Sequence, residues 1–341
     1  MHHPILRNIP RKICYLSISF VISLCLVRSI PQAAADPGPP IAGAGGRAEG
    51  NAQSRPDFDA RRALDLIRKQ LSFGSRTIGR PGHEAAGRFL ERELRRYADR
   101  VVLQKFRFQD FDLTNVIGWI CARGMSRRAE PNAQSDPATP CPGTDPPVLL
   151  AAHWDTHPFA SRDPDRSRRR LPVPGANDGG SGTAILLELA RAMRERRPPR
   201  DLLIVLFDGE DYGIGEEWFI GSTHFARAWK GPRPAFGILL DMVGDRDLNI
   251  HVEGYSARKA PEVVRKIWDA AKRAGARSFR PDVKHYVLDD HIPLNDAGIP
   301  TADIIDFDYP PWHTSQDTLD KVSARSLEEV ARVVIEAIYT R

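Results

Sequence analysis

The stretch DLLIVLFDGED (201–211) decides the fold. Its apolar residues run unbroken from Leu202 to Phe207, which is the pattern of a strand buried on both faces and so of a sheet covered by helices. One further acid and a single glycine then lead to two adjacent carboxylates, Glu210 and Asp211. Neighbouring acids at a buried sheet edge repel unless a cation or a shared proton divides their roles. A metal on Asp211 leaves Glu210 free as the acid/base beside it. The plain alternative is a solvated acidic loop.

Working outward, further strand-like runs occupy 101–108, 114–121, 147–155, 236–243, 248–252 and 301–307. Helical spacing marks 60–71, 83–98 (introduced by Pro81-Gly82), 180–196, 221–230, 260–274 and 323–339. Strands alternating with helices predict an α/β fold, a largely parallel sheet sandwiched by helices. In such sheets ligand sites form beyond the carboxyl ends of the strands. Candidate ligands stand at those ends: His153 in HWDTHPF (153–159), Asp178 in PGANDGGSG (174–182), Asp211, Asp241 in LLDMVGD (239–245) and His313 in PPWHTSQD (310–317). Imidazole and carboxylate are donors that zinc accepts at neutral pH, so the set points to a hydrolytic or acyl-transfer metal site.

Each residue also has a bland explanation. A strand-end histidine such as His153 is often structural, although Asp155, two residues on and on the same side, can orient its ring. Asp178 could simply cap the helix that follows. Asp245 could stand in for Asp241. Asp290, in the Asp289-Asp290 pair, either shares a proton with Glu210 or caps a short helix at 291–297. Trp312, beside His313, walls a small pocket or belongs to the core. His83, His157, His224, His251 and His285 read as structural or surface residues. The arginine run RDPDRSRRR (162–170) is either solvated or rims the mouth of the site and attracts acidic peptides.

Basic residues and an apolar run, ICYLSISFVISLCLV (13–27), followed by Ala33-Ala34-Ala35, predict a signal peptide over 1–35 and an exported protein, periplasmic or secreted. An uncleaved anchor is the alternative; otherwise no stable membrane insertion is expected once the signal is cut. The chain has 49 Lys and Arg against 44 Asp and Glu; cleavage removes four basic residues (Arg7, Arg11, Lys12, Arg28) and no acidic ones, leaving near neutrality. Nothing then favours nucleic acid as a partner. Cys121 and Cys141 remain, either joined as a disulfide or as two buried thiols. Residues 36–58, rich in Pro, Gly and Ala, read as a disordered linker, and 59–341 as one catalytic domain. No GxSxG elbow, Walker-type loop or CxxC pair occurs, which excludes serine-hydrolase, nucleotide-binding and thioredoxin-like readings.

On these ligand segments the chain resembles metallopeptidase family 28, the zinc exopeptidases, and within it most closely the glutaminyl-peptide cyclotransferases. The features that carry the second likeness are DDHIPL (289–294), the Trp312-His313 pair, and FDGED (207–211) followed by the Gly221-Ser222 segment. The resemblance implies a three-layer α/β/α sandwich with a mostly parallel mixed central sheet. In the peptidases, the positions of His153, Asp178, Asp211, Asp241 and His313 hold two zinc ions, with Asp178 bridging. In the cyclases, the positions of Asp178, Asp211 and His313 hold one zinc ion, while Glu210, Asp241 and Asp290 share protons. Two departures stand out: animal cyclases carry glutamate where Asp211 stands, and they place a tryptophan soon after the Glu pair, where this chain has Glu216-Glu217 and only then Trp218, the residue expected in the pocket wall with Trp312. The expected activity is conversion of N-terminal glutamine to pyroglutamate on peptides and proteins; the alternatives are a zinc aminopeptidase and, less favoured, a non-catalytic ectodomain.

Overall fold

The computed structural model describes residues 55–124, 141, 145–215 and 217–340. The signal segment 1–35 and linker residues 36–54 lie outside the described residues, whereas Arg55 already pairs with Glu336 and Pro56 is buried. Among the described residues no helix is long and apolar enough to cross a membrane.

Six strands form the central sheet: β1 (Arg100–Phe108), β2 (Phe111–Ile120), β3 (Val148–His153), β4 (Leu202–Phe207), β5 (Phe236–Asp241) and β8 (Thr301–Ile305), in the order β1-β2-β4-β3-β5-β8. β4, β3, β5 and β8 run parallel, while β2 is antiparallel to both β1 and β4. The sheet is therefore mixed and mostly parallel. Every residue of β3 and β4 is buried, as their unbroken apolar runs require.

Alternation along those strands separates two cores. Val148, Leu150 and Ala152 of β3 face one layer, with α1 (Ala60–Leu71), α2 (Pro81–Tyr97), α3 (Gly180–Glu195), α6 (Pro261–Ala274) and α8 (Ala324–Tyr339) supplying its apolar faces. Leu149 and Ala151 face the other, which is closed by Phe225 of α4 (Ile220–Ala228) and Leu294 of α7 (His291–Asp296). This is a three-layer α/β/α sandwich. α1 starts at Asp59, whose carboxylate accepts the N–H groups of Arg61 and Arg62 as an N-cap does.

Three features depart from the pattern read in the sequence. The strand-like run at 248–252 leaves the central sheet, and its last three residues, β6 (Ile250–Val252), pair with β7 (Phe279–Val283) in a separate ribbon. β7 has one buried residue and a central proline, so it carries no apolar alternation to read. The helix expected over 260–274 is preceded by a short one, α5 (Gly254–Lys259), and Pro261 opens the next helix at a position where its missing N–H costs nothing.

Cys121 and Cys141 are buried and joined by a disulfide that closes a loop with a sequence separation of 20. A loop of this length restricts the unfolded chain by about 3 kcal/mol. Replacing both cysteines with alanine should lower the urea-unfolding free energy by up to that amount and leave far-UV circular dichroism unchanged.

Candidate metal centre

His153 ends β3 and Asp241 ends β5, so neighbouring parallel strands deliver both to one sheet edge. Asp178 precedes α3, Glu210 and Asp211 follow β4, and His313 lies in the loop after β8. All six are buried. His153 Nε2 is 3.1 Å from Asp241 Oδ1 and 3.2 Å from Asp178 Oδ1. His313 Nε2 is 3.2 Å from Asp211 Oδ1 and 3.6 Å from Asp178 Oδ2. The Asp178 carboxylate thus stands between the two imidazoles. It does not cap α3: Gly179 occupies the cap position, and no side chain bonds the helix start. Gly179 is required there, because its φ is 72° and a Cβ would meet the Asp155 carbonyl at 2.4 Å.

Donor atoms of His153, Asp178 and Asp241 lie within 4.8 Å of one another, as do those of His157, Asp211 and His313. Asp178 Oδ2 and Asp211 Oδ2 are buried without a hydrogen-bond partner. Buried carboxylate oxygens left open beside imidazole nitrogens are costly unless a cation or proton fills the gap, so this donor set fits a divalent, zinc-type ion.

The acids divide by environment. Burial, with Asp211 beside it, holds the Glu210 carboxyl well above the usual carboxylate range. Burial pushes Asp241 up to about 7 despite its hydrogen bond with His153, and Asp290 well up with help from Asp289. In Asp178 the His153 hydrogen bond and charge outweigh burial and pull the carboxyl down to about 2. Asp290 precedes α7 without capping it; its Oδ1 accepts the Ser222 hydroxyl at 2.5 Å. Asp245 lies apart, its carboxylate accepting the N–H of Asp247.

Asp155 sits 3.6 Å from His153 Nδ1, and its two oxygens accept the N–H groups of Glu210 and Asp211 at 3.1 Å each. One carboxylate thereby fixes the β3 and β4 loops together. Asp317 does the same for Asn177 and Asp178, at 2.9 and 3.1 Å, and accepts the Tyr309 hydroxyl. Arg76 is fully buried; it donates to the carbonyls of Trp154 at 2.8 Å and Gly175 at 2.7 Å, and reaches those of Pro174 and Asp178 at 3.3 Å. Met242 and His313 hold left-handed backbones, φ 47° and 53°, an uncommon state for residues with a Cβ.

A cavity of about 670 Å³ opens onto Asp178, Glu210, Asp211, Asp241 and His313, and Trp218 and Trp312 are among its walls. His157, read in the sequence as structural or surface, instead lies in that wall. Its ring stacks 4.1 Å from His313 and 5.6 Å from Trp218, and Nδ1 contacts the Phe159 carbonyl at 2.7 Å. The HWDTH spacing was its only sequence signal. A further buried group, Asp289, His291 and Asp303 with Glu253 3.1 Å from His291 Nε2, adjoins the pocket through Asp289 and had no recognisable motif beyond DDH.

An α/β/α sandwich whose parallel strands bring imidazoles and carboxylates to one edge defines a metallopeptidase-like enzyme with clusters suited to a zinc-type ion. The sequence matches Peptidase family M28 over residues 136–338, and the chain belongs to that family. Its structure is similar to a glutaminyl cyclase of Bacteroides thetaiotaomicron crystallised with N-acetylhistamine, at 33% identity, 84% coverage of this chain, 100% of the other and a TM-score of 0.74. It is equally similar to a leucine aminopeptidase precursor of the same bacterium, at 33% identity, 84% and 99% coverage and a TM-score of 0.74. Aminopeptidase YwaD of Bacillus subtilis is 26% identical over 56% of this chain, and the match spans only 40% of that protein's length.

Replacing Arg76 with methionine strands several buried carbonyls, each costing about 1–3 kcal/mol. The expected result is a loss of at least about 3 kcal/mol in urea unfolding, together with less zinc retained after dialysis.

Proposed function

We propose that the protein is a zinc-dependent glutaminyl-peptide cyclotransferase, converting N-terminal glutamine of peptides and proteins to pyroglutamate with release of ammonia. The observation that carries this reading is the placement of three buried carboxyls around one edge: Glu210 and Asp241 lie 3.8 and 3.1 Å from His153, and Asp290 is hydrogen-bonded to Ser222, with burial raising each towards protonation. The reaction needs a proton moved from one nitrogen to another and no external nucleophile. Similarity to glutaminyl cyclase structures over their whole length supports the same reading.

Asp178, Asp211 and His313 would hold the zinc ion, which supplies Lewis-acid polarisation of the γ-carboxamide oxygen. The aromatic walls Trp218 and Trp312 enclose the glutamine side chain and exclude water. Its own α-amine attacks the γ-carboxamide carbon, forming the ring C–N bond. Glu210 takes the proton from that amine and returns it to the departing nitrogen as the old C–N bond breaks and ammonia leaves. Asp241 and Asp290 carry the shared proton, which leaves Glu210 ionised to accept the one from the amine. Because nucleophile and electrophile belong to one molecule, orientation provides much of the acceleration.

The second reading, a zinc aminopeptidase, is favoured by one feature: His153, Asp178 and Asp241 form a second donor set that shares Asp178 with the first. Two ions and a water activated by Glu210 would then hydrolyse an N-terminal residue. The Cys121–Cys141 disulfide supports export to an oxidising compartment for either activity.

Incubating the domain with Gln-initiated and Leu-initiated peptides separates the two. Ammonia release from the first with the second intact is expected; a free N-terminal amino acid from either would replace the proposal with the aminopeptidase. A Glu210→Gln variant should bind zinc normally and lose about 10²–10⁴-fold in kcat, the usual weight of a positioned acid/base. Dipicolinate should abolish turnover, with recovery on adding zinc.

A further inference from the structure

The loop that follows His157 brings an arginine to the mouth of the cavity. Arg162 lies over the Trp312 ring with its guanidinium carbon 3.9 Å from the centroid, and both residues line the cavity. Trp312 in turn packs 4.6 Å from the His313 ring. The placement is built in. Arg162 donates its backbone N–H to the His313 carbonyl at 3.0 Å, and Asp163 accepts both the N–H and the hydroxyl of Ser315, at 2.9 and 2.5 Å. The loop is thus tied on both sides to the segment that carries His313. Arg168 pairs with Asp165, and Arg169 donates to the Asp163 carbonyl. Arg162 is exposed, and among the described residues no carboxylate comes within ion-pair distance of it.

We infer that Arg162 is a specificity-determining residue that receives a carboxylate from the substrate, so that the enzyme prefers peptides with Asp or Glu at the second or third position. This inference rests on the cyclotransferase reading for the identity of the first residue. A guanidinium stacked on an indole keeps its edge donors free and oriented, which suits bidentate capture of a carboxylate. The reach is appropriate: an extended peptide advances about 3.3–3.6 Å per residue, so a substrate whose first residue sits against Trp312 meets Arg162, stacked on that ring, with the next one or two. The cation also offsets, at the entrance, the acidic floor that would otherwise repel such a peptide. Phe159, Tyr286 and Leu288, exposed and lining the same cavity, offer apolar contact to the rest of the chain.

The test uses C-terminally amidated tetrapeptides Gln-Glu-Ala-Ala, Gln-Gln-Ala-Ala and Gln-Lys-Ala-Ala, in which the glutamate side chain supplies the one carboxylate. Wild-type kcat/KM should favour the glutamate peptide over the glutamine one by about fivefold at low ionic strength, the scale of an exposed ion pair, and the preference should shrink in salt. Arg162→Gln should bring the ratio to near one, and Arg162→Lys should restore part of it. Equal rates on all three peptides in the wild type, or an Arg162→Gln variant that keeps the ratio, overturn the inference. The same peptides are titrated against tryptophan fluorescence. If no peptide is cyclised, the reaction assignment fails, while the ratio of dissociation constants still decides whether Arg162 selects the carboxylate.

Discussion

Seven carboxylates, those of Asp155, Asp178, Glu210, Asp211, Asp241, Asp289 and Asp290, are buried at the carboxyl edge of one sheet. Ionised together in a low-dielectric interior they would be prohibitive, so each must find a proton, a hydrogen-bond donor or a cation. The structure shows the first two and donor sets suited to the third. Asp155 takes two backbone N–H groups, Asp178 an imidazole, and Asp290 a hydroxyl. Glu210, Asp241 and Asp290 are pushed towards the protonated form. Among the seven, four buried oxygens stay open, one each on Asp178, Asp211, Asp289 and Asp290, and the two on Asp178 and Asp211 lie next to His313, where a divalent ion would relieve the repulsion.

Concentrating charge in this way requires loops that hold still, and the loops are held by groups that take no part in the chemistry. Arg76 is an uncommon choice for a fully buried side chain, and burial lowers its pKa to about 10, still far above neutrality. Its positive charge faces Asp317, Asp178 and Asp155, and its donors fasten the backbone of the His153 loop to that of the Asp178 loop. The left-handed residues Met242 and His313 flank the same edge. Such conformations persist only where surrounding contacts over-determine them; here the Met242 carbonyl accepts from Asn177 Nδ2 at 3.3 Å and the His313 carbonyl accepts the Arg162 N–H at 3.0 Å.

The layered fold was legible because β3, β4 and β5 are buried on both faces and their sequences carry that fact as unbroken apolar runs. The convergence of His153 and Asp241 was legible for a related reason, since they end adjacent parallel strands, while Asp178, Asp211 and His313 reach the same edge from the loops beyond it. What escaped notice lacks any such local signature. Arg76 acts through backbone carbonyls some 80 to 100 residues further along the chain, and its sequence neighbourhood looks like an ordinary surface turn. His157 acquires its place from rings on two other loops. The β7 segment is exposed at four of its five positions, so burial imprinted no period on it.

Asp241 ties the ion count to the reaction. It stands 3.1 Å from His153 and belongs to the donor set His153, Asp178 and Asp241, yet burial also pushes it up to about 7. A carboxylate cannot serve as an anionic ligand and hold a shared proton at the same moment. A second ion held by His153, Asp178 and Asp241 would need Asp241 as an anion and would supply a second Lewis acid there. A single ion would be held by Asp178, Asp211 and His313 and would leave Asp241, raised by burial, free to carry a proton beside Glu210.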